Sequence, residues 1–290
     1  MGKTCLKADV RSDGHEGALP SVSIVLCVNA SNPWLPAAID SILNQTHCDF
    51  EFLIAANACT DDLWNELQLL VSNDSRVQLI RTAIGQLPFN LNFLADSASG
   101  EYLIRMDADD ISEPNRLEVI CNELRREPVD ILGSAVTLID GLGQAVGHME
   151  FPLKKEDIRR ALLFRTVFCH PAVAIRRSFL LNQRGYLGGF YSEDTDLWLR
   201  AVRAGASMRN LSESLLRYRV HSAQSVSSSV GYAEVAGHWL REFLLSPGWY
   251  QFKGLVIAIS KALFRLRLPR TKRYFKPIPK MHQQDKRDAS

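Results

Sequence analysis

The sequence predicts an α/β protein whose core is a mostly parallel sheet with helices on both faces. Apolar runs of strand type, such as residues 22–28 and 50–55, alternate with segments whose apolar residues recur at helical spacing. The first run is nearly continuous in its hydrophobicity, as is typical of a parallel strand that is buried on both faces. Sheets of this kind bind ligands beyond the carboxyl ends of their strands.

The first half of the chain predicts a βαβαβαβ order, and the second half is less regular. Strands are predicted over 22–28, 50–55, 77–80, 102–106, 130–139, 172–175 and 217–220. Helices are predicted over 34–43, 63–71, 90–98, 155–163 and 194–204.

Composition and charge divide the chain into three parts. The 290 residues are 46% hydrophobic, which allows one large core or two modest ones. The net charge of +2 argues neither for nor against nucleic acid, and no nucleic-acid partner is expected. Residues 1–19 are expected to be a flexible tail, and residues 20–228 form the main domain, which ends in a Ser-rich stretch over 222–229. Residues 229–290 are expected to be a helical segment, and nine Lys/Arg but no Asp/Glu fall within 251–282.

Cysteine usage and hydropathy favour a cytoplasmic protein. The six cysteines form no C-x-x-C pair, which favours reduced thiols over a zinc site or a disulfide framework. The first 19 residues contain no apolar signal core, and the uncharged stretch over 254–260 is too short to span a bilayer. The expected location is the cytoplasm, and the protein could also bind peripherally to the inner face of the plasma membrane.

The most informative segment is 102–117, where a short apolar strand leads into Asp107, Asp109 and Asp110. Like charges at one strand end repel each other, and a divalent cation with oxygen ligands relieves that repulsion. The alternative is a solvated acidic turn that caps the helix expected to start near Glu113. A second acidic cluster at 193–196 calls for a joint explanation of the two.

Four segments together resemble family 2 glycosyltransferases, which are inverting enzymes of the Rossmann-like GT-A fold, over roughly residues 20–228. Each segment is unspecific alone, and the order and spacing carry the resemblance. The segments are 22–29 with 41–46, 100–110, 169–176, and 193–200 with 218–221.

The resemblance implies a nucleotide-sugar donor, a UDP-sugar, whose diphosphate is bridged by Mg²⁺ or Mn²⁺. Asp109 matches the metal-coordinating position, and Asp107 matches a position that meets the ribose or the metal through water. His221 resembles a histidine that completes the metal or diphosphate contact, and a hydrogen-bonded loop histidine is its alternative. The metal would neutralise charge on the departing nucleoside diphosphate.

Asp194 matches the family's catalytic base, which takes the proton of the attacking acceptor hydroxyl. It opens a predicted helix, where the helix dipole favours an ionised carboxylate, while the neighbouring Glu193 opposes ionisation. The alternative is that Asp194 and Asp196 only cap this helix.

Two asparagines are the further candidates for nucleotide-sugar binding. Asn29 follows the first strand and Asn57 follows the second, at the expected ligand edge of the sheet. The family commonly has Asp-Asp-Gly-Ser-Thr-Asp after its second strand, and the first aspartate bonds the nucleobase. This chain has Ala-Asn-Ala-Cys-Thr-Asp over 56–61, so the usual acidic contact is missing, although Asn57 can both donate and accept, and the identity of the base stays open. Asn57 is alternatively a turn residue in the left-handed region.

Several other residues receive lesser roles. His170 and Arg176 are expected near the acceptor or the diphosphate by resemblance, and Arg105 is expected to pair with the acidic cluster as scaffolding. Tryptophans at helical spacing among apolar residues are expected in the core, namely Trp34, Trp64 and Trp198.

Residues 233–268 are predicted to form one helix with an apolar stripe flanked by Lys and Arg. The stripe consists of Leu255, Ile259, Ala262, Leu263 and Leu266. Such a stripe suits an anionic membrane surface, where lipid-linked acceptors are found. The alternative is a helix packed on the main domain with a solvated basic end.

The sequence thus predicts a metal-dependent inverting glycosyltransferase that transfers a sugar to a hydroxyl of a glycan or lipid-linked acceptor in bacterial surface polysaccharide biosynthesis. A nucleotidyltransferase on a similar sheet is one alternative, although the Gly-rich basic loop that it needs is missing after the first strand. A catalytically inactive, glycan-binding or scaffolding relative is the other.

Overall fold

The computed structural model describes residues 21–72, 74–221 and 229–265. The predicted flexible tail over 1–19, most of the Ser-rich boundary and the basic residues after 265 lie outside this part of the chain.

The described chain is a mixed α/β structure with one large sheet. Its strands are β1 (Val22–Val28), β2 (Phe50–Asn57), β3 (Val77–Thr82), β4 (Tyr102–Met106), β5 (Ile111–Ser112), β6 (Ile131–Ile139), β7 (Ala145–Met149), β8 (Ala174–Arg176) and β9 (Met208–Arg219). Its helices are α1 (Leu35–Leu43), α2 (Asp61–Val71), α3 (Leu87–Ser97), α4 (Arg116–Arg126), α5 (Lys155–Leu162), α6 (Arg177–Asn182), α7 (Glu193–Arg203), α8 (Ser229–Leu245) and α9 (Trp249–Arg265).

The sheet order is β3-β2-β1-β4-β8-β6-β9-β5, with β7 paired to β6. The first four strands are parallel, so the predicted βαβαβαβ order is confirmed. β8 runs antiparallel to both β4 and β6, and β6 is parallel to β9. The carboxyl ends of β1, β2 and β4 therefore meet at one edge, while the chain returns to that edge through β9.

Helices cover both faces of the sheet, and alternate residues of each central strand enter different cores. On β1, Ile24 and Leu26 enter the core beneath α1, α2 and α4, and Val25 enters the core beneath α3 and α7. On β2, Phe52 and Leu53 divide in the same way. This two-sided burial explains the nearly continuous apolar runs in the sequence.

The last strand is much longer than the predicted segment 217–220. β9 runs from Met208 to Arg219, and its register against β6 shifts between Ser134 and Val136. Two of the extra β9 residues at this shift, Ser212 and Glu213, are polar and exposed, so they interrupt the apolar pattern that a strand prediction relies on.

The predicted single helix over 233–268 is wrong, because α8 and α9 are two helices separated by Ser246, Pro247 and Gly248. Proline has no N–H to donate and glycine favours helix ends, so this triplet breaks the helix. The two helices pack against each other, and Trp239 of α8 is only 2% exposed in the core beside α7.

The predicted apolar stripe is also revised. Leu255 packs partly buried against the core, whereas Ile259 and Leu263 of the predicted stripe are exposed in a row with other large apolar side chains of α9. This row, the α9 stripe, consists of Trp249, Phe252, Val256, Ile259 and Leu263.

The described residues also bear on two predictions from composition. Cys27, Cys59, Cys121 and Cys169 are free thiols, as expected. Among the described helices, none combines the length and the hydropathy that crossing a bilayer requires.

Two glycines in the paired helices provide a matched test of this packing. A Cβ on Gly254 would lie 2.2 Å from the Trp239 ring, whereas a Cβ on Gly237 would meet nothing within 4 Å. We expect Gly254→Ala to lower the free energy of unfolding by about 1–3 kcal/mol through overpacking. Gly237→Ala should raise it by about 0.4–1 kcal/mol by restricting the unfolded chain. Urea denaturation of both variants checks this, and equal effects would contradict the described contact.

Candidate functional site

A cavity of about 1870 Å³ opens at the carboxyl ends of β1, β2 and β4. All six of the predicted site residues line it, although they come from positions up to 192 residues apart in sequence. They are Asn29, Asn57, Asp107, Asp109, Asp194 and His221. The geometry therefore brings every predicted site residue together, whatever role each one plays.

The acidic cluster lies between β4 and β5. Ligand atoms of Asp107, Asp109 and Asp110 all fall within 4.8 Å of one another. The strand β5 separates this cluster from α4, which starts at Arg116, so the alternative of a helix-capping acidic turn is wrong. Three carboxylates this close repel one another unless a cation or a proton intervenes.

The third carboxyl group has a structural partner. Asp110 is 1% exposed and accepts a hydrogen bond from the Arg219 backbone N–H at 2.8 Å. Burial, followed by the charges of Asp107 and Asp109, raises the pKa of Asp110 well above its ordinary value. Asp110 thus ties the end of β9 to the cluster, and the more accessible Asp107 and Asp109 remain for a ligand.

His221 lies two residues after the end of β9, next to the acidic cluster. Its Nε2 lies 2.9 Å from Asp109 Oδ2, and its ring centroid lies 4.6 Å from that of Trp34. The Arg219 guanidinium stacks over the same Trp34 ring at 5.0 Å. Trp34 therefore lines the cavity, and the expectation that it lies in the core is wrong, while Trp198 is fully buried as expected.

Asn57 ends β2 and is 5% exposed. Its Oδ1 has no hydrogen-bond partner within the described residues. The left-handed residue of this turn is Ala58, with φ of 48°, so the alternative of Asn57 as a left-handed turn residue is wrong. An orphaned buried amide oxygen costs about 1–3 kcal/mol, and a ligand N–H would recover it. Asn29 is exposed at the rim of the same cavity.

Asp194 lies in the first turn of α7. Its Oδ1 accepts hydrogen bonds from the Thr195 N–H at 2.6 Å and the Thr195 hydroxyl at 3.2 Å. Burial raises the pKa of Asp194 above its ordinary value, against these bonds, which lower it. Asp196 differs, since it is fully buried and forms an ion pair with Arg200 at 2.8 Å.

Three polar side chains that lie close to one another are found beside Asp194, namely Glu193, His170 and Tyr186. Burial, followed by the Asp194 charge, raises the pKa of Glu193 to about 7. Glu193 Oε1 is 3.7 Å from His170 Nδ1, and His170 Nε2 is 2.9 Å from the Tyr186 hydroxyl. Burial lowers the pKa of His170 well below its ordinary value, so the ring is neutral at pH 7.

Three arginines complete the description. Arg105 forms the expected ion pair with Asp107 at 2.8 Å, and it also lines the cavity with Nε and Nη1 unpartnered among the described residues. Arg116 was not singled out from the sequence, yet its buried guanidinium donates to the backbone oxygens of Arg105 and Pro171. Arg176 lies opposite the first residue of β4, at the other end of the sheet, so the expectation that it lies near the ligand is wrong.

Comparison with known proteins decides the family. The model for "Glycosyl transferase family 2" matches residues 23–185, more than half of the chain. The chain belongs to glycosyltransferase family 2. It is 36% identical over 251 residues to the O-antigen biosynthesis glycosyltransferase WbnJ of Escherichia coli. This match covers 85% of this chain and 98% of WbnJ. It is also 28% identical over 261 residues to the putative glycosyltransferase EpsE of Bacillus subtilis, covering 86% and 90% of the two chains.

Solved structures confirm the GT-A fold class. The S. aureus TarS fragment 1–349 in complex with UDP-GlcNAc aligns with a TM-score of 0.66 at 15% identity, over 84% of this chain and 73% of that chain. The mannosyltransferase PcManGT of Pyrobaculum calidifontis, with GDP-Man and Mn²⁺, aligns with a TM-score of 0.59 at 15% identity, over 89% and 74%. At such identity these structures speak to the fold alone. Family membership makes this chain a glycosyltransferase, so the nucleotidyltransferase alternative is set aside.

Proposed function

We propose that this family 2 glycosyltransferase is a metal-dependent inverting enzyme that transfers a sugar from a nucleotide donor to a hydroxyl of a glycan or lipid-linked acceptor. The observation that carries the proposal is the set of side chains that line the cavity. Two carboxylates that suit a metal ion, the unpartnered side-chain oxygen of Asn57 and the half-buried carboxylate of Asp194 meet around one cavity that is large enough for a nucleotide sugar.

Asn57 and Asp107 would bind the nucleoside of the donor. The unpartnered Oδ1 of Asn57 suits the imide N–H of a pyrimidine such as uracil, while its amide N–H₂ suits a carbonyl. Asp107 would meet the ribose, and the exposed Asn29 would close the rim over the nucleoside. A UDP-sugar fits these three residues. Because the usual aspartate is absent, binding measurements with different nucleotides are the way to identify the base.

Asp109, Asp107 and His221 would hold Mg²⁺ or Mn²⁺. The cluster fits such an ion, since its carboxylate oxygens are hard ligands within 4.8 Å of one another, with the His221 nitrogen 2.9 Å from Asp109. When bound, the cation neutralises the charge of the departing nucleoside diphosphate. Arg105, with two unpartnered guanidinium nitrogens on the same wall, would bind diphosphate oxygens alongside it.

Asp194 would act as the base that takes the proton of the acceptor hydroxyl. Both hydrogen bonds from Thr195 go to Oδ1, and burial moves the pKa of Asp194 upward, toward the range in which a base is effective. Thr195 fixes the carboxylate orientation through both of these bonds. Attack from the face opposite the diphosphate would invert the anomeric configuration.

The acceptor is proposed to belong to bacterial surface polysaccharide synthesis. The support is the similarity to WbnJ, named for O-antigen biosynthesis, which extends over almost the full length of that protein.

A thermal-shift panel of UDP-, GDP- and dTDP-sugars with Mn²⁺ or EDTA tests the donor class, since a ligand that binds the folded state raises the melting temperature. Failure of every nucleotide sugar to stabilise the wild type with Mn²⁺ would contradict the proposal.

Peripheral membrane contact is the remaining part of the proposal. The α9 stripe is exposed, with Trp249 at 77% and Leu263 at 59%, while Ala258 on the other side packs into the core. The next residues of the chain, 266–282, carry six Lys/Arg and no Asp/Glu. An apolar stripe beside positive charge suits an anionic bilayer. A location at the inner face of the plasma membrane would follow.

We expect the double variant Phe252→Ser/Leu263→Ser to bind anionic vesicles more weakly than the wild type, with donor hydrolysis unchanged. Removal of residues 266–290 should also weaken binding, by roughly 1 kcal/mol per basic residue near the surface, and added salt should reduce the difference. Leu69→Ser is the control, because Leu69 is 79% exposed on α2. Sedimentation with anionic and neutral vesicles decides the matter. Equal binding to both vesicle types would leave the α9 stripe without this role.

A further inference from the structure

The segment 187–192, which we name the α7 lip, leads into α7 beside the cavity. Two consecutive aromatic residues on it are accessible, Phe190 at 83% and Tyr191 at 50%. Tyr191 lines the cavity together with Asp194, three residues later in the chain. Exposed aromatic rings next to a ligand cavity point to contact with a ligand, because the free protein gains nothing from exposing them.

One carboxylate on α8 holds the backbone of the α7 lip. Glu234 accepts hydrogen bonds from the N–H groups of Phe190 at 2.8 Å and Tyr191 at 3.1 Å, and from the Ser192 hydroxyl at 2.7 Å. Gly189, with φ of +133°, lets the carboxylate approach closely, since a Cβ there would lie 3.3 Å from Glu234 Oε2. Successive N–H groups around one anion form a defined backbone nest.

Further contacts fix α8 to α7 itself. His238 Nε2 is 3.0 Å from the Ser192 hydroxyl, and Arg241 forms an ion pair with the fully buried Asp196 at 2.5 Å. Arg203 and Glu242 form another at 2.7 Å. The helix that holds the α7 lip is therefore anchored to the helix that carries Asp194. These α8 residues lie outside the part of the chain that matches the family model.

We propose that the α7 lip is an acceptor subsite, in which a pyranose ring of the acceptor glycan stacks on Phe190 and Tyr191, and that Glu234 is the residue that positions it. This rests on the proposed function, because Asp194 must lie where the acceptor hydroxyl reacts. A pyranose has an apolar C–H face and a polar rim, which match an aromatic face and the Tyr191 hydroxyl. The distance of three residues from Asp194 favours a sugar of the acceptor over the nucleotide, whose candidate ligands lie at the carboxyl ends of β1, β2 and β4.

The test separates acceptor binding from donor chemistry in the full-length enzyme with Mn²⁺. A panel of n-octyl mono- and disaccharides serves as acceptors, and donor hydrolysis without acceptor is measured in parallel. Phe190→Ala and Tyr191→Ala should each raise the acceptor KM by about tenfold, with donor hydrolysis within about twofold of wild type. Tyr191→Phe, which keeps the ring, should restore most of the acceptor affinity. Glu234→Gln should raise the acceptor KM in the same direction, since an amide cannot accept all three bonds.

Glu242→Gln is the matched control, because Glu242 lies on the same helix and its side-chain hydrogen bonds and ion pairs go to Arg203 and Arg241 and not to the α7 lip. It should lower the melting temperature and leave the acceptor KM unchanged. Equal effects of Glu234→Gln and Glu242→Gln on the acceptor KM would overturn the positioning role. The subsite would be overturned if the acceptor KM were unchanged in both alanine variants. It would also be overturned if these variants lost vesicle binding while their acceptor KM stayed at the wild-type value.

Saturation-transfer NMR with the same octyl glycosides keeps this inference apart from the proposed function. It requires no turnover and reports directly which sugar protons contact protein. Transfer to the C–H face that disappears in Tyr191→Ala supports the subsite even if donor hydrolysis is absent, in which case only the donor proposal fails. Identical transfer in the wild type and the variant would overturn the subsite while donor hydrolysis stands.

Discussion

Asp194→Asn should lower the rate of glycosyl transfer by ~10²- to 10⁴-fold, the usual contribution of a positioned base, while donor affinity stays within about threefold of wild type. An amide has nearly the same shape as the carboxylate and still accepts hydrogen bonds from Thr195 through its oxygen. What it cannot do is take a proton. The loss should therefore appear in the transition state and leave ground-state binding of the donor intact.

The control is Asp62→Asn, which removes a first-turn carboxylate from α2, where the side chain is exposed. It should change stability by about 0.3–1 kcal/mol through the helix dipole and leave transfer unchanged. Steady-state kinetics of both variants, with donor affinity by calorimetry, decides between the interpretations. A transfer rate of Asp194→Asn within tenfold of wild type would reduce Asp194 to a structural residue. A matching fall in donor affinity would move it to donor binding.

Asp109→Asn should lower turnover by at least ~10²-fold and weaken the donor's dependence on Mn²⁺, because a neutral amide is a poor substitute for a carboxylate on a hard cation. Asp107→Asn should have a smaller effect. The activating metal concentration should rise in Asp109→Asn, since the expected defect lies in holding the ion. Titration of activity with Mn²⁺ and with Mg²⁺ measures it.

Asp110→Asn is the control, one residue along the same cluster. Its amide oxygen still accepts the Arg219 N–H bond, so turnover and metal requirement should change far less than in Asp109→Asn. If both substitutions produced the same loss, the cluster would act as a general negative field and not as a specific ligand set. If neither changed the metal requirement, the metal site would lie elsewhere.

The parallel half of the fold and the location of the site were predictable because both depend on local patterns. Continuous apolar runs define β1 and β2, and a parallel sheet brings their carboxyl ends together. Asn57 and Asp107 follow from that rule alone. Asp194 and His221 depend on the family resemblance, because nothing in their local sequence places them at this edge.

The errors arise where tertiary packing overrides local pattern. Trp34 looks like a core residue by its spacing, yet it covers the cavity beside His221 and Arg219, which come from the distant end of β9. Arg176 was assigned by resemblance, and only the register of β8 against β4 shows it at the opposite end of the sheet. Glu234 gives no signal in sequence, since its partners are backbone N–H groups of a loop more than forty residues away.

Calorimetric titration of the wild type with UDP and with GDP, in Mn²⁺ and then in EDTA, tests the central claim most directly. The site as described predicts that one of the two nucleotides binds in Mn²⁺, and that EDTA lowers its affinity by at least about tenfold, which corresponds to ~1.4 kcal/mol. Asp109→Asn should show the weaker affinity in both conditions. Equal affinity of the wild type with and without metal, or an Asp109→Asn variant that binds like the wild type, would contradict a metal-bridged donor at this cavity.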